Sequence, residues 1–252
     1  MMGYICTILL FIFNSGKKYI AYLLISLIIL HNLVLNDTLG CYLTIIFILL
    51  ILFIYCLIIK KNLKKMFIVI ISFVLISLTG SNLVKNNFKQ LSGDFTSIKN
   101  NLEFVIDDSN ILDEYTKKRL YKTGTNRFGL WLHGLKFISE KPIFGYGIEN
   151  LYEQYLKTDV TDITRRPHNE YIQVGACMGI PALIFYLCFL GSIYFPIILN
   201  FKKINNYIII SAFIALSYLV SAFFGVSVFY TTPYLFIFLG FVTSYYIEEN
   251  EI

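Results

Sequence analysis

The chain reads as an all-α protein, a polytopic transmembrane helical bundle with a large extracytoplasmic loop between spans. Three observations predict this. Of the 252 residues, 57% are hydrophobic and only 15% charged, against about 25% charged in ordinary soluble domains. Mean hydropathy is +0.67. The apolar residues are also gathered into runs, at about 19–35, 39–59, 66–84, 171–199, 207–223 and 230–247. Each run is near the roughly 20 residues whose helix crosses a ~30 Å hydrocarbon layer. Residues 1–13 form a further apolar run that would rise only about 20 Å as helix. No basic stretch precedes it and no small-x-small cleavage site follows, so it reads as a clipped span and not as a signal peptide.

The basic clusters fix the expected topology. Lys17 and Lys18, then Lys60, Lys61, Lys64 and Lys65, then Lys202 and Lys203 fall on alternate connections. Those connections are cytoplasmic by the positive-inside rule, so 36–38, 85–170 and 224–229 face outward. The chain divides accordingly into N-terminal transmembrane helices (1–84), an extracytoplasmic loop (85–170) and C-terminal transmembrane helices (171–252). The loop holds 13 Lys/Arg against 12 Asp/Glu, so most of the net charge of +5 sits on the inner connections. That charge is topological and gives nucleic-acid binding no support. Cys6, Cys41, Cys56, Cys177 and Cys188 all fall in predicted spans, with no disulfide or zinc spacing, and read as small packing residues.

Within the loop, 85–122 mixes polar residues with scattered apolar ones and suits short interfacial helices. Asp107-Asp108-Ser109 has the look of a metal-binding carboxylate pair, but no third ligand is identifiable, and a solvated turn capping the next helix is favoured. From Thr125 to Glu140, Arg127, Leu130, Trp131, Gly134, Leu135 and Ile138 recur at helical spacing. Thr125 or Asn126 caps the start and Pro142 stops the run. Spacing alone favours an interfacial helix, with Trp131 at head-group level and Arg127 snorkelling or paired with an acid. Gly145-Tyr146-Gly147 reads as a tight turn using positive φ. It lacks the third glycine and the strand–turn–helix context of a nucleotide fingerprint, and an anion-binding nest of amides is its alternative role.

The junction Arg165-Arg166-Pro167-His168-Asn169-Glu170-Tyr171 stands where the polar loop meets an apolar run. Proline is tolerated in the first turn of a helix, which predicts that His168 lies in that turn with outward amides beside it. With Arg165 and Arg166 these amides favour an anion, and a diphosphate is the anion expected at a membrane surface. Nearby cations and the helix start favour the neutral imidazole, so His168 suits a general base. The alternatives are a head-group anchor for the arginines and a simple cap for the histidine. His31, inside an apolar run, is expected to hydrogen-bond between helices, and His133 beside Trp131 identifies nothing by itself.

Taken together, Arg127-x-x-x-Trp131, Lys141-Pro142-Ile143-Phe144-Gly145-Tyr146-Gly147 and Pro167-His168-Asn169-Glu170-Tyr171, with Gly179 following, resemble the core signature of the bacterial O-antigen ligase and polymerase family. There a His-Asn pair is followed after nine residues by Gly, and Gly179 matches, while Ala182 departs mildly from the next position. The resemblance covers about 38–185. It implies a metal-independent glycan transferase, without a cofactor, in the bacterial cytoplasmic (inner) membrane, multi-pass with the long loop outside. Its partners would be an undecaprenyl-diphosphate-linked glycan and a lipid or glycan acceptor. By the resemblance, Arg127 would contact the diphosphate, joining Arg165 and Arg166 that the junction itself assigns to it, and His168 would activate the acceptor hydroxyl. Trp131, Gly145, Gly147 and Asn169 would support them. The family's second arginine, expected in a short stretch between upstream spans, is replaced by Leu39 in Asp37-Thr38-Leu39-Gly40-Cys41. This moves the reading from a lipid A-core ligase toward a surface-polysaccharide polymerase. The chain also resembles the C-terminal part of longer members, which leaves a non-catalytic remnant open. A polytopic transporter component would call for charged residues within the spans and an internal repeat, and neither stands out.

Overall fold

A computed structural model describes residues 1–16, 18–36, 38–80, 127–148, 150–158, 166–225 and 230–250, with short pieces between 85 and 96. Among the described residues the longer elements are all helical: α1 (Met2–Phe13), α2 (Tyr19–Leu35), α3 (Leu39–Ile59), α4 (Leu63–Thr79), α5 (Arg127–Glu140), α6 (Leu151–Leu156), α7 (Glu170–Asn200), α8 (Asn206–Ser221) and α9 (Thr232–Asn250). Each apolar run of the sequence forms a helix. Two of them, α3 and α7, are long and apolar enough to cross a membrane, whereas α1, α2, α8 and the stretch Thr232–Ser244 are shorter apolar helices. The chain falls into two compact units, one made of 1–84, 189–221 and 227–252, the other of 85–188 and 222–226.

In the first unit the short α1 is a packing hub. Tyr4, Ile5, Ile8, Leu9, Phe11 and Ile12 are buried, and the helix packs against α2, α4 and α8. Such burial stabilises through close packing of side chains that interdigitate with few voids. α1 has no basic residue in its last turn. Lys65 of α4 supplies the cation instead, donating from Nζ to the carbonyls of Phe11 at 3.1 Å, Ile12 at 3.3 Å and Asn14 at 2.6 Å. These are orphan acceptors at a helix C-terminus, where positive charge is favourable. Ile28, Leu50, Phe67, Leu75 and Leu78 are exposed. An apolar recess of about 450 Å³ lies between α3, the last turns of α7 and α8, lined by Ile51, Tyr55, Ile58, Ile197 and Phe213 among others. His31 is exposed, and among the described residues it makes no hydrogen bond between helices, contrary to the sequence expectation.

The second unit corrects the reading of 171–199 as one span. α7 is broken at Gly179, whose φ of 88° and ψ of 170° are non-helical. The two arms fold back on each other: the rings of Tyr171 and Tyr186 lie 6.2 Å apart, and the Tyr186 hydroxyl donates to Glu170 at 3.3 Å. In an unbroken helix residues 171 and 186 would be about 22 Å apart. Only 180–200 is continuous, and alone it rises about 30 Å, still the thickness of a hydrocarbon layer.

The break is held by an exchange of backbone hydrogen bonds. A continuous helix would give Ile180 N–H to Ala176, and Pro181, lacking an N–H, would leave the Cys177 carbonyl without a donor. Instead Ala176 accepts from Tyr146 at 2.9 Å, Cys177 accepts from Gly147 at 2.8 Å, and Ile180 donates to Pro142 at 2.7 Å. The turn after α5 thus completes the interrupted helix. Gly145 and Gly147 take positive φ, 64° and 93°, as the sequence predicts. A side chain at Gly145 would strike the Cys177 backbone, and one at Gly179 would strike the Ile143 carbonyl.

Candidate functional site

α5 and the first arm of α7 pack in parallel through two glycines. A Cβ at Gly134 would meet Ile172 at 2.5 Å and Pro167 at 3.6 Å, and one at Gly175 would meet Ile138 at 2.8 Å. Residue 134 thus lies level with 172, and 138 with 175, so both helices run the same way and begin at the same end. The contact is sealed by a buried cluster of Leu130, Phe137, Leu151, Tyr155, Ala176 and Cys177. Within it the Tyr155 hydroxyl donates to the Leu130 carbonyl at 2.7 Å, and burial pushes its phenol pKa up. Only a glycine at 134 leaves room there, since a Cβ would lie 3.1 Å from the Tyr155 oxygen.

At the shared starting end stand Arg127, the first residue of α5, and Arg166, Pro167, His168 and Asn169, which lead into α7. The structure corrects the local register expected at this point. The helix begins at Glu170, not at Pro167, and Asn169 is its cap. The Asn169 Oδ1 accepts from Tyr171 N–H at 3.0 Å and Ile172 N–H at 3.1 Å, and its carbonyl accepts from Gln173 at 3.0 Å. Asn is among the strongest N-cap residues, and Pro167 is displaced two positions outward as a result. The Glu170 N–H donates to the Ala222 carbonyl at 2.8 Å. The amides of 170, 171 and 172 therefore all have acceptors, and the open amides expected at this helix start are not there. The same holds for the Gly145–Gly147 turn, where Gly145 donates to Lys141 at 3.1 Å and the next two amides to α7. The nest alternative is excluded and the turn reading stands.

His168 precedes the cap in the left-handed region at φ 48°. Among non-glycine residues His, Asn and Asp are enriched there, and the conformation costs an L-residue roughly 1–2 kcal/mol. It is half-buried, as are Arg127 and Arg166, while Asn169 is buried. Glu170 is 7% exposed, and Tyr171 stacks on Phe223 with ring centroids 4.5 Å apart. Trp131 shares the Arg127 and Gly134 face of α5. Its Nε1 is buried with no hydrogen-bond partner among the described residues, and the same is true of Gln173 Oε1 on α7. A buried donor left unmatched costs about 1–3 kcal/mol, so such groups call for an explanation. Arg165 and Asp107-Asp108-Ser109 lie outside the described residues. Sequence reasoning passed over Glu170 as a buried acid and the partnership of the 141–147 turn with Gly179. It also passed over a polar recess on the far side of α5, whose signal was His133, Lys136 and Glu140 on one helical face.

The O-antigen ligase family model matches residues 4–187, a stretch that contains α5, the 141–147 turn, the His168-Asn169 junction and the Gly179 break. A Rickettsia typhi protein named "Putative polysaccharide ligase" is 27% identical over 227 residues, covering 84% of this chain and 46% of that protein. The chain thus spans about half the length of this relative. No solved structure matches the chain significantly. With the family model covering well over half of the sequence, the chain belongs to the O-antigen ligase family.

Proposed function

We propose that the protein is a membrane glycan transferase that polymerises or ligates an undecaprenyl-diphosphate-linked oligosaccharide on the outer face of the cytoplasmic membrane without a metal ion. The observation that carries this is the shared end of two parallel helices, where Arg127 opens α5 and Arg166 and His168 precede α7. The start of α5 adds positive potential to the guanidinium groups, while that of α7 is capped by Asn169. Arginine pairs bidentately with phosphate oxygens, and Arg127, Arg165 and Arg166 are assigned to the diphosphate on that ground. His168 accepts the proton of the acceptor hydroxyl as its oxygen attacks the anomeric carbon. The bond from that carbon to the carrier oxygen breaks, and its electron pair leaves with the diphosphate, whose charge the arginines stabilise. Asn169 fixes the start of α7 and so the position of His168. The unmatched Trp131 N–H suits a hydrogen bond to bound substrate.

The test is glycan extension in a strain that lacks its own polymerase, complemented with this chain. A general base contributes typically about 10² to 10⁴ in rate. His168→Ala and His168→Gln are therefore expected to lose nearly all extension while keeping protein level and carrier-lipid binding, and a chelator is expected to change nothing. A normal glycan ladder from either variant removes the base assignment. A parent chain that binds carrier lipid but extends nothing would mark a non-catalytic relative.

A further inference from the structure

We infer that the recess between α5 and α6 is a binding subsite for an acidic saccharide segment, one bearing carboxylate or phosphate groups. The recess measures about 470 Å³ and is lined by His133, Lys136, Glu140, Gln154 and Lys157, with Phe137 at its base. That size falls within the range of small-ligand sites, about 300–1,000 Å³. The lining is unlike such sites in being mostly polar, which matches a sugar chain better than a lipid.

Charge gives the ligand class. Lys136 and Lys157 both line the recess, and among the described residues neither forms an ion pair with an acid. Lys157 Nζ is held by Gln154 Oε1 at 3.3 Å, which keeps it at the rim. Glu140 offsets one of the two charges, its Oε2 accepting a hydrogen bond from the Tyr146 hydroxyl at 2.5 Å on the side of the 141–147 turn. The described lining therefore carries two lysines against one carboxylate, a net positive charge, together with amide and imidazole groups and an aromatic residue. Anionic groups would meet the lysines while hydroxyls meet Gln154 and His133.

Its place on the helix separates it from the diphosphate site. Lys136 follows Arg127 by about two and a half turns, so it lies on the opposite side of α5 and about 13 Å further along the axis. On the transferase reading, on which the identity of the ligand rests, that distance leaves room for several sugars between the reacting end and the recess. The segment held there belongs either to the carrier-linked donor or to the acceptor glycan, and both present the same chemistry.

The first arm of the test uses trigalacturonate as the probe and maltotriose as its neutral counterpart, with the full chain in detergent. The parent is expected to bind trigalacturonate more tightly than maltotriose, with affinity falling as salt rises. Lys136→Ala with Lys157→Ala is expected to weaken trigalacturonate binding by about tenfold or more, since two charge-assisted contacts are lost. Both lysines are exposed, so the double variant keeps its fold, checked by its thermal midpoint. Equal binding by parent and double variant, or equal binding of the neutral sugar, overturns the proposal. His168→Ala is expected to bind the probe as the parent does, so failure of the base assignment and failure of the subsite remain distinguishable. The second arm reads transfer kinetics in the double variant. A raised KM for the carrier-linked glycan assigns the subsite to the donor, a raised KM for the acceptor assigns it to the acceptor, and neither change overturns its role in transfer.

Discussion

Gly179→Ala addresses the feature on which the second unit is built. At φ 88° and ψ 170° the backbone is in a region that only glycine occupies comfortably, and forcing an L-residue into it costs about 1–3 kcal/mol. Crowding adds to this, because the new Cβ would lie against the Ile143 carbonyl and within 2.9 Å of the Pro142 oxygen. Relief requires the 141–147 turn to withdraw, which breaks the bonds from Tyr146 to Ala176, from Gly147 to Cys177 and from Ile180 to Pro142. At about 0.5–1.5 kcal/mol each, these bring the total to roughly 2.5–7.5 kcal/mol, comparable with the whole stability of many domains. The expected outcome is local opening of the fold-back. Peptides covering 141–148 and 175–183 should exchange amide hydrogens much faster, and glycan extension should fall with them. Gly191→Ala is the control, since a Cβ there meets nothing within 4 Å and alanine is the better helix former by about 1 kcal/mol. If Gly179→Ala keeps the exchange pattern and activity of Gly191→Ala, the break is not held in the way argued.

Tyr155→Phe should destabilise the second unit by about 1 kcal/mol, through loss of the hydrogen bond to Leu130, as a lower midpoint in thermal unfolding. Burial raises the Tyr155 pKa above its ordinary value of 10.0 in the folded chain, so its contribution is complete below that value and declines as pH rises beyond it. The phenylalanine variant should lose less stability over that alkaline interval than the parent, and an identical decline would show that Tyr155 is not the group responsible. Arg127→Lys keeps the charge but loses the fork, so both it and Arg127→Ala should bind carrier lipid more weakly than the parent. Parent-like binding by both would make Arg127 a membrane anchor only. A cysteine at Ser97 should react with an impermeant thiol reagent in intact cells and one at Asn62 should not, and the reverse pattern would invert the topology.

What was legible in the sequence follows from how strongly local composition constrains the backbone. An apolar run with few polar side chains to pair its backbone satisfies its own hydrogen bonds as helix, and α2 and α3 match theirs residue for residue. The turn at Gly145 and Gly147 was legible because positive φ is a local property. The partners of that turn were not, because they lie thirty residues away on α7. The break at Gly179 hides because both arms are apolar and hydropathy does not register direction. Gly179-Ile180-Pro181 is nevertheless a combination that interrupts helices, and a run longer than one span was a second sign. At the junction Pro167 and Asn169 offered competing helix starts, and hydrogen bonding decided for Asn169, because its side chain satisfies two amides whereas proline only lacks one.

The fold-back and the site are one construction. Because α7 reverses at Gly179, its first arm runs beside α5 and brings His168 to the end where Arg127 begins. Because Pro181 would leave the Cys177 carbonyl without a donor, the reversed helix needs an external N–H, and the Gly147 amide that supplies it lies on the turn that closes α5. Each helix therefore terminates the other, one at its break and one at its exit, and their free ends lie together. The strain of His168 at positive φ is borne beside a cap that engages the next amides, so the imidazole is set off the start of α7 instead of continuing it. His168→Gly sharpens this, because glycine relieves the backbone strain while removing the imidazole. It should leave the thermal midpoint equal to the parent's or higher, and glycan extension should be as low as in His168→Ala. A glycine variant that is both less stable and active would mean that the histidine serves packing and not proton transfer.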